Sequence, residues 1–387
     1  MKYNFDEIVV RRGSNSIKWD DAEQEDVLPL WVADMDFKAA PAIREALARR
    51  VEHGVFGYTK VPDAYYDAII HWFSRRHQWQ IKRDWIQYTI GVVPAISCII
   101  KAISMPGDKV LVSTPVYNCF FSSIKNNGCE NVESPLRQRD DLRYEMDFED
   151  FEQKCADSKV VAYLLCNPHN PCGRVWTREE LEKIGKICRK HHVWVISDEI
   201  HNEIVMPGYQ YLPFASISEA NQQCSITCVS PSKSFNLAGL QIANIICSDA
   251  AMSRRIDRAI NINEVCDVNP FGVVATIAAY NESEDWIEEL NPYIWKNFET
   301  LKQMISLPIT PLEGTYLAWM DYSSICQKLS MNSAILEETL MEKAKVYLNA
   351  GTMYGAAGEG FMRINLACPN AVLVEALNRL NRFIENL

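Results

Sequence analysis

The sequence has no long hydrophobic run and no block of positive charge. Its longest uncharged stretch, Trp85 to Ile100, contains a glycine, a proline and hydroxyl groups, and is too short and too polar to cross a membrane. The chain carries 39 lysines and arginines against 50 acidic residues, a net charge of −11, and the basic residues form no long run. We therefore expect neither a nucleic acid nor a membrane as a partner.

The N-terminal region also lacks the apolar segment of a secretory signal, and it carries charges at Asp6, Glu7, Arg11 and Arg12. The 13 cysteines are a small share of 387 residues, which argues against a disulfide scaffold. Several of them lie in apolar runs, as Cys98 does in AISCII. These features predict a cytoplasmic protein whose cysteines are mostly reduced and buried.

The middle of the chain has the pattern of an α/β fold. Between about residues 88 and 247, short β-rich runs alternate with segments of helical periodicity. The run VVAYLLC is continuously apolar and ends at Asn-Pro, as expected for a strand buried on both faces. Thr177 to Glu180 match a capping box ahead of a helix, and the strand-like run VWVIS follows that helix. This alternation predicts a parallel sheet with crossover helices.

The C-terminal part has a different pattern. After about residue 285, a long amphipathic helix leads to the run TYLAWM, a helix near 333–349, the strand MRINL and a terminal helix from Ala371. The first 40 residues have no comparable sheet core and are expected to pack against this unit. Length allows about two or three domains. We predict two: a large α/β domain over 41–284 with a mostly parallel central sheet, and a smaller α+β domain from 1–40 and 285–387.

Three polar residues lie at the carboxyl ends of predicted strands. Asn170 comes just after VVAYLLC, Asp198 ends VWVIS, and Lys233 follows SITCVS. Ligands of open parallel sheets bind beyond these strand ends. A lysine for a Schiff base, an aspartate for a pyridinium nitrogen and an asparagine for a phenolic oxygen together suit an aromatic, phosphorylated aldehyde cofactor. A lone lysine in this place would indicate only a solvated charge.

Longer motifs around these residues resemble the fold-type I, PLP-dependent aminotransferase superfamily. They are SPSKSFNLAGL at 230–240, NPHNPCG at 167–173 and SDEIH at 197–201. PLWVADMDF at 29–37 and GFMRINLACP at 360–369 are similar to the signatures of its MalY/PatB group, which comprises cystathionine β-lyases and cysteine-S-conjugate β-lyases. The resemblance covers nearly the whole chain in the expected order.

The resemblance implies that pyridoxal 5′-phosphate (PLP) is the cofactor. Lys233 would be the catalytic lysine that holds the cofactor, with Asp198 and Asn170 on its ring and Arg363 on the substrate carboxylate. Further contacts that it implies are Tyr117 against the ring, the amides of Val92 and Val93 and the hydroxyls of Ser230 and Ser232 on the phosphate, and Tyr58 reaching the phosphate from the neighbouring subunit of a homodimer. Ordinary roles stay open for these: core aromatics for the two tyrosines and turn formation for the two serines.

Two positions depart from the broader superfamily pattern. His201 stands where many members have a tyrosine, and either contacts the cofactor or has a structural role. Gln241 stands where many have a phosphate-binding arginine. The side chains of Asp34 and Asp36 either shape the substrate entrance or hold a loop. Cys166, His169 and Cys172 could suggest a metal site, but the Asn-Pro turn explains this stretch better, so we predict no metal.

These inferences favour a PLP-dependent carbon–sulfur β-lyase. It would convert L-cystathionine, or a related cysteine S-conjugate, into a thiol such as homocysteine, pyruvate and ammonia. The alternative is an aminotransferase acting on an amino acid and a 2-oxo acid, because both reactions begin with the same proton abstraction. A non-catalytic binding protein on this fold is disfavoured, since Lys233, Asp198, Asn170 and Arg363 are all present.

Overall fold

An open, mostly parallel sheet forms the centre of the computed structural model, which describes residues 2–22, 24–262 and 264–387. One of the seven strands in these residues, Ala243–Ile246, runs antiparallel to both of its neighbours, and the other six are parallel to one another. In order across the sheet the strands are Ile86–Thr89, Ala243–Ile246, Ser225–Val229, Trp194–Asp198, Val160–Cys166, Lys109–Val112 and Glu130–Glu133. The predicted α/β fold is confirmed.

Helices cover both faces of this sheet because successive residues of its strands point to opposite sides. Val110 and Val112 pack into an apolar cluster on one face, whereas Leu111 between them packs into the cluster on the other. The strand Val160–Cys166 divides its residues in the same way between the two clusters. The interpretation of VVAYLLC as a doubly buried strand is therefore confirmed.

The α-helices within the described residues follow the predicted periodicity in most places. The long helix after residue 283 and the terminal helix both form. The α-helices are Ile17–Asp20, Pro41–Glu52, Asp63–His77, Val92–Ile103, Cys119–Asn126, Phe148–Cys155, Arg178–Lys190, Glu219–Gln223, Pro231–Ser234, Ala250–Ile262, Pro270–Glu282, Glu284–Met304, Ser323–Leu329, Ser333–Thr339 and Asn370–Glu385. Short 3₁₀ turns are Arg83–Trp85, Phe214–Ser216, Ala238–Leu240, Gly351–Tyr354 and Ala356–Gly358.

The prediction of one helix near 333–349 is wrong at its C-terminal end. The α-helix Ser333–Thr339 is followed by a π-helical turn, Leu340–Ala344, and Lys345 then adopts a left-handed conformation with φ 58°. The chain next forms the short strand Val346–Tyr347. The helix does not continue here because residues 346–347 pair with a segment near the other end of the chain. Helical periodicity gives no information about such a long-range contact.

The chain ends meet in a small β-structure. The strands Leu317–Asp321, Phe361–Asn365 and Asn349–Ala350 form an antiparallel sheet, and Val346–Tyr347 pairs in parallel with Leu28–Pro29. The N-terminal residues thus pack on the C-terminal part, as predicted. The domain boundaries at 41 and 284 stay a prediction. A further strand pair lies at Arg137–Gln138 and Tyr144–Glu145.

The cysteines are present as thiols and not as disulfides in the described part of the chain, which includes all thirteen. Ten are buried, Cys119 and Cys224 are half-buried, and Cys266 is exposed. Separately, no helix in residues 2–22, 24–262 and 264–387 is long and apolar enough to cross a membrane.

The predicted capping box is present, and its removal should destabilise the fold. The Thr177 hydroxyl accepts from the Glu180 amide at 3.2 Å, and the Glu180 carboxylate accepts from the Thr177 amide at 2.8 Å. We expect Thr177→Ala to lower the free energy of unfolding by about 1 kcal/mol, because one helix N–H loses its acceptor. Urea unfolding measures this, with Thr177→Ser as the matched control. Equal stability of Thr177→Ala and wild type would contradict the assignment.

Candidate functional site

A cavity of ≈ 450 Å³ lies at the carboxyl edge of the central sheet. One wall comes from the sheet and the helices that follow it, and the opposite wall comes from the two ends of the chain. Nine of the predicted site residues line it: Val92, Val93, Tyr117, Asn170, Asp198, His201, Ser232, Lys233 and Arg363. The structure therefore brings most of the sequence-predicted site together.

The register of the sheet explains why these residues converge. Cys166 pairs with Asp198, and Asp198 in turn pairs with Cys228, so three neighbouring strands end at one level. The loop after the first strand carries Asn170, and a short helix after the third, Pro231–Ser234, carries Lys233. Because parallel strands share a carboxyl edge, residues far apart in sequence meet there.

Asp198 is a buried carboxyl. One of its oxygens accepts from the Ile200 amide at 3.1 Å. Burial raises the pKa of the Asp198 carboxyl to about 7, and the neighbouring Glu199 contributes to the rise. Glu199 itself accepts from the Ser197 hydroxyl at 2.7 Å and the Phe214 amide at 2.9 Å. Asp198 is thus an acidic group suited to a cationic ring nitrogen.

Lys233 places its amine in the same cavity. Burial lowers the pKa of the Lys233 amine to about 8; the carboxylates of Asp34 and Asp198 act in the opposite direction, and Arg363 lowers it further. The amine donates to the Ala33 carbonyl at 2.5 Å. A lysine with a lowered pKa has a larger neutral fraction near neutral pH, which both carbonyl chemistry and proton abstraction require.

Arg363 lines the cavity and is held by groups from three parts of the chain. Its Nη1 donates to Asn170 Oδ1 at 3.1 Å, and its Nη2 donates to the Trp31 carbonyl at 2.7 Å. The Tyr354 ring lies 4.9 Å from its guanidinium carbon. Its Nε is buried and has no hydrogen-bond partner in the described part of the chain. A planar guanidinium held in this way suits a carboxylate.

The residues present fit PLP. Besides Arg363 Nε, the Nδ1 of buried His201 has no partner among the described residues. Burial, then the charges of Lys233 and Arg363, hold the pKa of His201 well below its usual range, so its imidazole is neutral. Val92 and Val93, in the first turn of the helix Val92–Ile103, also line the cavity, and the first turn of a helix has free N–H groups that can bind a phosphate.

Two predicted residues lie outside the cavity wall. Tyr58 is fully exposed at 103% and does not reach this site within the chain. Ser230 caps its own short helix, accepting from the Ser232 amide at 3.0 Å and donating to the Ile242 carbonyl at 2.5 Å. Because that donation occupies its only hydroxyl hydrogen, the expectation that Ser230 donates to a phosphate is not supported; Ser232 does line the cavity.

Asp34 and Asp36 hold a loop. The Asp34 carboxylate binds Arg11 at 2.6 Å, and the Asp36 carboxylate binds Arg11 at 2.7 Å and the buried amine of Lys18 at 2.8 Å. Trp19 also donates to Asp36 at 2.8 Å. These bonds attach the segment around Asp34 to the N-terminal residues, which favours the loop-holding alternative.

Sequence reasoning missed several cavity residues. Cys119 lines the cavity together with Tyr117, and its position two residues after that tyrosine was an available signal. Asn349 and Tyr354 line it from the C-terminal part, and the Asn349 amide donates to the Tyr354 hydroxyl at 3.0 Å. Ala33 contributes through its backbone carbonyl, for which no residue type is diagnostic.

The burial of Asp198 makes a prediction about pH. Its folded-state pKa lies above the value of about 3.9 for unfolded chains, so folding binds a proton between about pH 4 and 7 and stability falls as pH rises through that window. Cofactor-free Asp198→Asn should therefore be more stable than cofactor-free wild type at pH 8, with a gap that grows from pH 5 to 7 and is flat above.

Urea unfolding at a series of pH values measures this gap, and Asp267→Asn, at an exposed position, is the control. Added PLP should stabilise wild type more than Asp198→Asn, because only the carboxylate pairs with a cationic ring nitrogen. A gap independent of pH would refute the raised pKa.

Comparison with known proteins agrees with this geometry. The Aminotransferase class I and II family profile matches residues 25–380. Cystathionine beta-lyase PatB of Bacillus subtilis is 40% identical over 97% of this chain and 98% of its own. The PLP-bound C-S lyase of Staphylococcus hominis is 33% identical over the whole of both chains, with a TM-score of 0.93. A PLP-bound protein of Clostridium difficile 630 that carries an aminotransferase name is 44% identical over 98% of each chain, with a TM-score of 0.94. The chain belongs to the class I and II aminotransferase family and, within it, to the MalY/PatB group.

Proposed function

We propose that the protein is a PLP-dependent carbon–sulfur β-lyase that acts on L-cystathionine or a related cysteine S-conjugate. The observation that carries the proposal is one cavity in which the Lys233 amine, the buried Asp198 carboxyl and the Arg363 guanidinium meet. The products are a thiol, pyruvate and ammonia. The full-length similarity to a cystathionine β-lyase supports this choice of reaction.

Each residue has a part that its surroundings support. Arg363 binds the substrate carboxylate and so fixes the orientation of the amino acid in the cavity. Asp198 places negative charge opposite a ring nitrogen, and Asn170 and His201 are the polar neighbours of the ring. When bound, PLP supplies an electron sink for the charge that develops at the substrate Cα. The amides of Val92 and Val93, with Ser232, bind the phosphate.

Lys233 is the general base. Its pKa of about 8 gives a substantial neutral fraction at neutral pH, and a base works best when its pKa is near the working pH. The neutral amine takes the proton from the substrate Cα. The bond between Cβ and sulfur then breaks with its electron pair on sulfur, and the thiolate takes up a proton and leaves as the thiol. Water converts the remaining three-carbon unit into pyruvate and ammonia. Loss of this leaving group separates the lyase from an aminotransferase, which returns a proton and keeps Cβ intact.

The competing function is an aminotransferase, since all of these residues serve both reactions and one similar structure carries that name. We expect the wild type to release pyruvate and a thiol from cystathionine with no 2-oxo acid present. Lys233→Ala should lose this turnover together with the visible absorbance of the bound cofactor. Lys328→Ala, at an exposed position, is the control for removal of a lysine. Amino transfer to an added 2-oxo acid, with no pyruvate formed in its absence, would replace the lyase by the alternative.

We include a homodimer in this proposal because Tyr58 does not line the cavity of its own chain. It lies on an exposed apolar patch with Val51, Val55 and Phe56, whose exposed fractions are 57%, 63% and 57%. The Arg50 guanidinium contacts two residues of this patch. It donates to the Val55 carbonyl at 2.8 Å and lies 5.6 Å from the centre of the Phe56 ring. A second copy covering the patch would bring Tyr58 to the neighbouring phosphate. The cytoplasmic location stays a prediction.

Hybrid dimers test this arrangement. Tyr58→Phe should weaken PLP binding roughly tenfold to a hundredfold, the value of a hydrogen bond to a charged group. Lys233→Ala should be inactive. A co-expressed hybrid of the two has one site with Lys233 and a Tyr58 from the partner, so we expect about half the activity of a wild-type dimer. Tagged purification isolates the hybrid, and the assay uses a PLP concentration that saturates wild type but not Tyr58→Phe. Activity no higher than that of the parent variants under this condition would refute the shared site.

A further inference from the structure

The segment Trp31–Phe37, here called the strap, belongs to no strand, and its first three residues line the cavity. Five consecutive carbonyls of the strap accept hydrogen bonds from side chains elsewhere in the chain. The donors are Asn349 and Arg363 to Trp31, Asn365 to Val32, Lys233 and Tyr316 to Ala33, Asn365 and Lys18 to Asp34, and Asn236 and Arg11 to Met35. The strap is therefore held in place by side chains.

The Ala33 carbonyl is the part of the strap that touches the reactive lysine. It accepts from the Lys233 amine at 2.5 Å and from the Tyr316 hydroxyl at 2.8 Å. A carbonyl oxygen has two lone pairs, so both donors are satisfied at once. A neutral amine that gives one N–H to this oxygen keeps its own lone pair free to receive a proton. The contact therefore orients Lys233 for work as a base.

Asn236 connects the strap to the turn that carries Lys233. It lies three residues after the lysine and has φ 57°, in the left-handed region. Its Oδ1 accepts from the Met35 amide at 3.1 Å, and its Nδ2 donates to the carbonyls of Met35 at 3.0 Å and Phe37 at 2.8 Å. The oxygen and both hydrogens of the Asn236 side-chain amide thus form hydrogen bonds with the strap.

We propose that Asn236 is a positioning residue, whose side chain fixes the strap to the lysine turn and so holds the Ala33 carbonyl where it receives the free Lys233 amine. The inference rests on the proposed role of Lys233 as a base that must be released and oriented during turnover. Without the link, the lysine and its acceptor would lie on two segments that are joined only through the rest of the fold. A displacement of about 1 Å at such a group can cost on the order of a hundredfold in rate.

An alternative explanation is that Asn236 is needed only for its left-handed backbone conformation, and this explanation makes a different prediction. Asparagine is enriched in the left-handed region compared with most other non-glycine residues, so backbone geometry alone could account for its presence. Glycine adopts that geometry at least as easily but has no side chain to bind the strap. Alanine lacks both properties. The pair Asn236→Gly and Asn236→Ala therefore separates the hydrogen bonds from the backbone conformation.

The first experiment measures steady-state kinetics of the loaded enzyme. We expect both variants to lower kcat by about tenfold to a hundredfold, with KM changed less than about threefold because Arg363 remains in place. Asn236→Asp keeps an acceptor for the Met35 amide but sets a carboxylate oxygen against the carbonyls of Met35 and Phe37, so it should lower kcat at least as much as Asn236→Gly. Asn381→Ala, which removes a similar side-chain bond of 2.7 Å to the Met304 carbonyl, is the control. A wild-type kcat in Asn236→Gly would overturn the proposal.

The second experiment uses full-length, cofactor-free protein and does not depend on which reaction the enzyme catalyses. Hydrogen–deuterium exchange of the strap should be faster in Asn236→Gly than in wild type and Asn381→Ala, because the Met35 amide loses its acceptor. The rate at which added PLP develops its visible absorbance should fall as well. Unchanged exchange and uptake would refute the positioning role. If the enzyme proves to be an aminotransferase, the same loss of kcat is expected in amino transfer, so the two proposals fail separately.

Discussion

An acidic and a basic group that face one cavity are the constraint on which this structure depends. Asp198 is buried and Lys233 is half-buried, and loss of solvation raises the pKa of the aspartate and lowers that of the lysine. The sheet brings both groups to its carboxyl edge. A cationic ring nitrogen would pair with the Asp198 carboxylate and an aldehyde would react with the Lys233 amine, so one edge of the sheet serves both parts of the cofactor.

The opposite wall of the cavity comes from the chain ends, so the site depends on long-range packing. Arg363 lies on a strand of the small sheet and bonds to Asn170, which follows a strand of the central sheet. The strap, near the N-terminus, contacts both Arg363 and Lys233. Substrate binding and proton transfer thus use residues from three distant parts of the sequence. A change that loosens the packing of the chain ends is expected to affect the orientation of the lysine as well as the carboxylate site.

Residues that carry chemistry were predictable from the sequence where a strand end fixed their place. The strand pattern placed Asn170, Asp198 and Lys233 at one edge, and the structure agrees. The periodicity failed where long-range pairing decided the structure, as at Val346–Tyr347. The sequence also did not indicate that the Ser230 hydroxyl donates to the Ile242 carbonyl. The sequence pattern of a serine in a turn is the same whether the serine caps a helix or binds a ligand.

The contacts made by backbone groups are the part of the site that is hardest to predict from the residue types. Any residue at position 33 would present a carbonyl, so the sequence signal for this contact lies in the side chains that hold it. Asn236, Asn349 and Asn365 all bond to strap backbone, and a primary amide can donate and accept much as a peptide group does. The strap has bends at 32–34 and 36–37 and pairs with no strand, so these side chains satisfy backbone groups that a sheet would otherwise satisfy. The site thus depends on asparagines that bind a loop rather than on residues that would bind the cofactor.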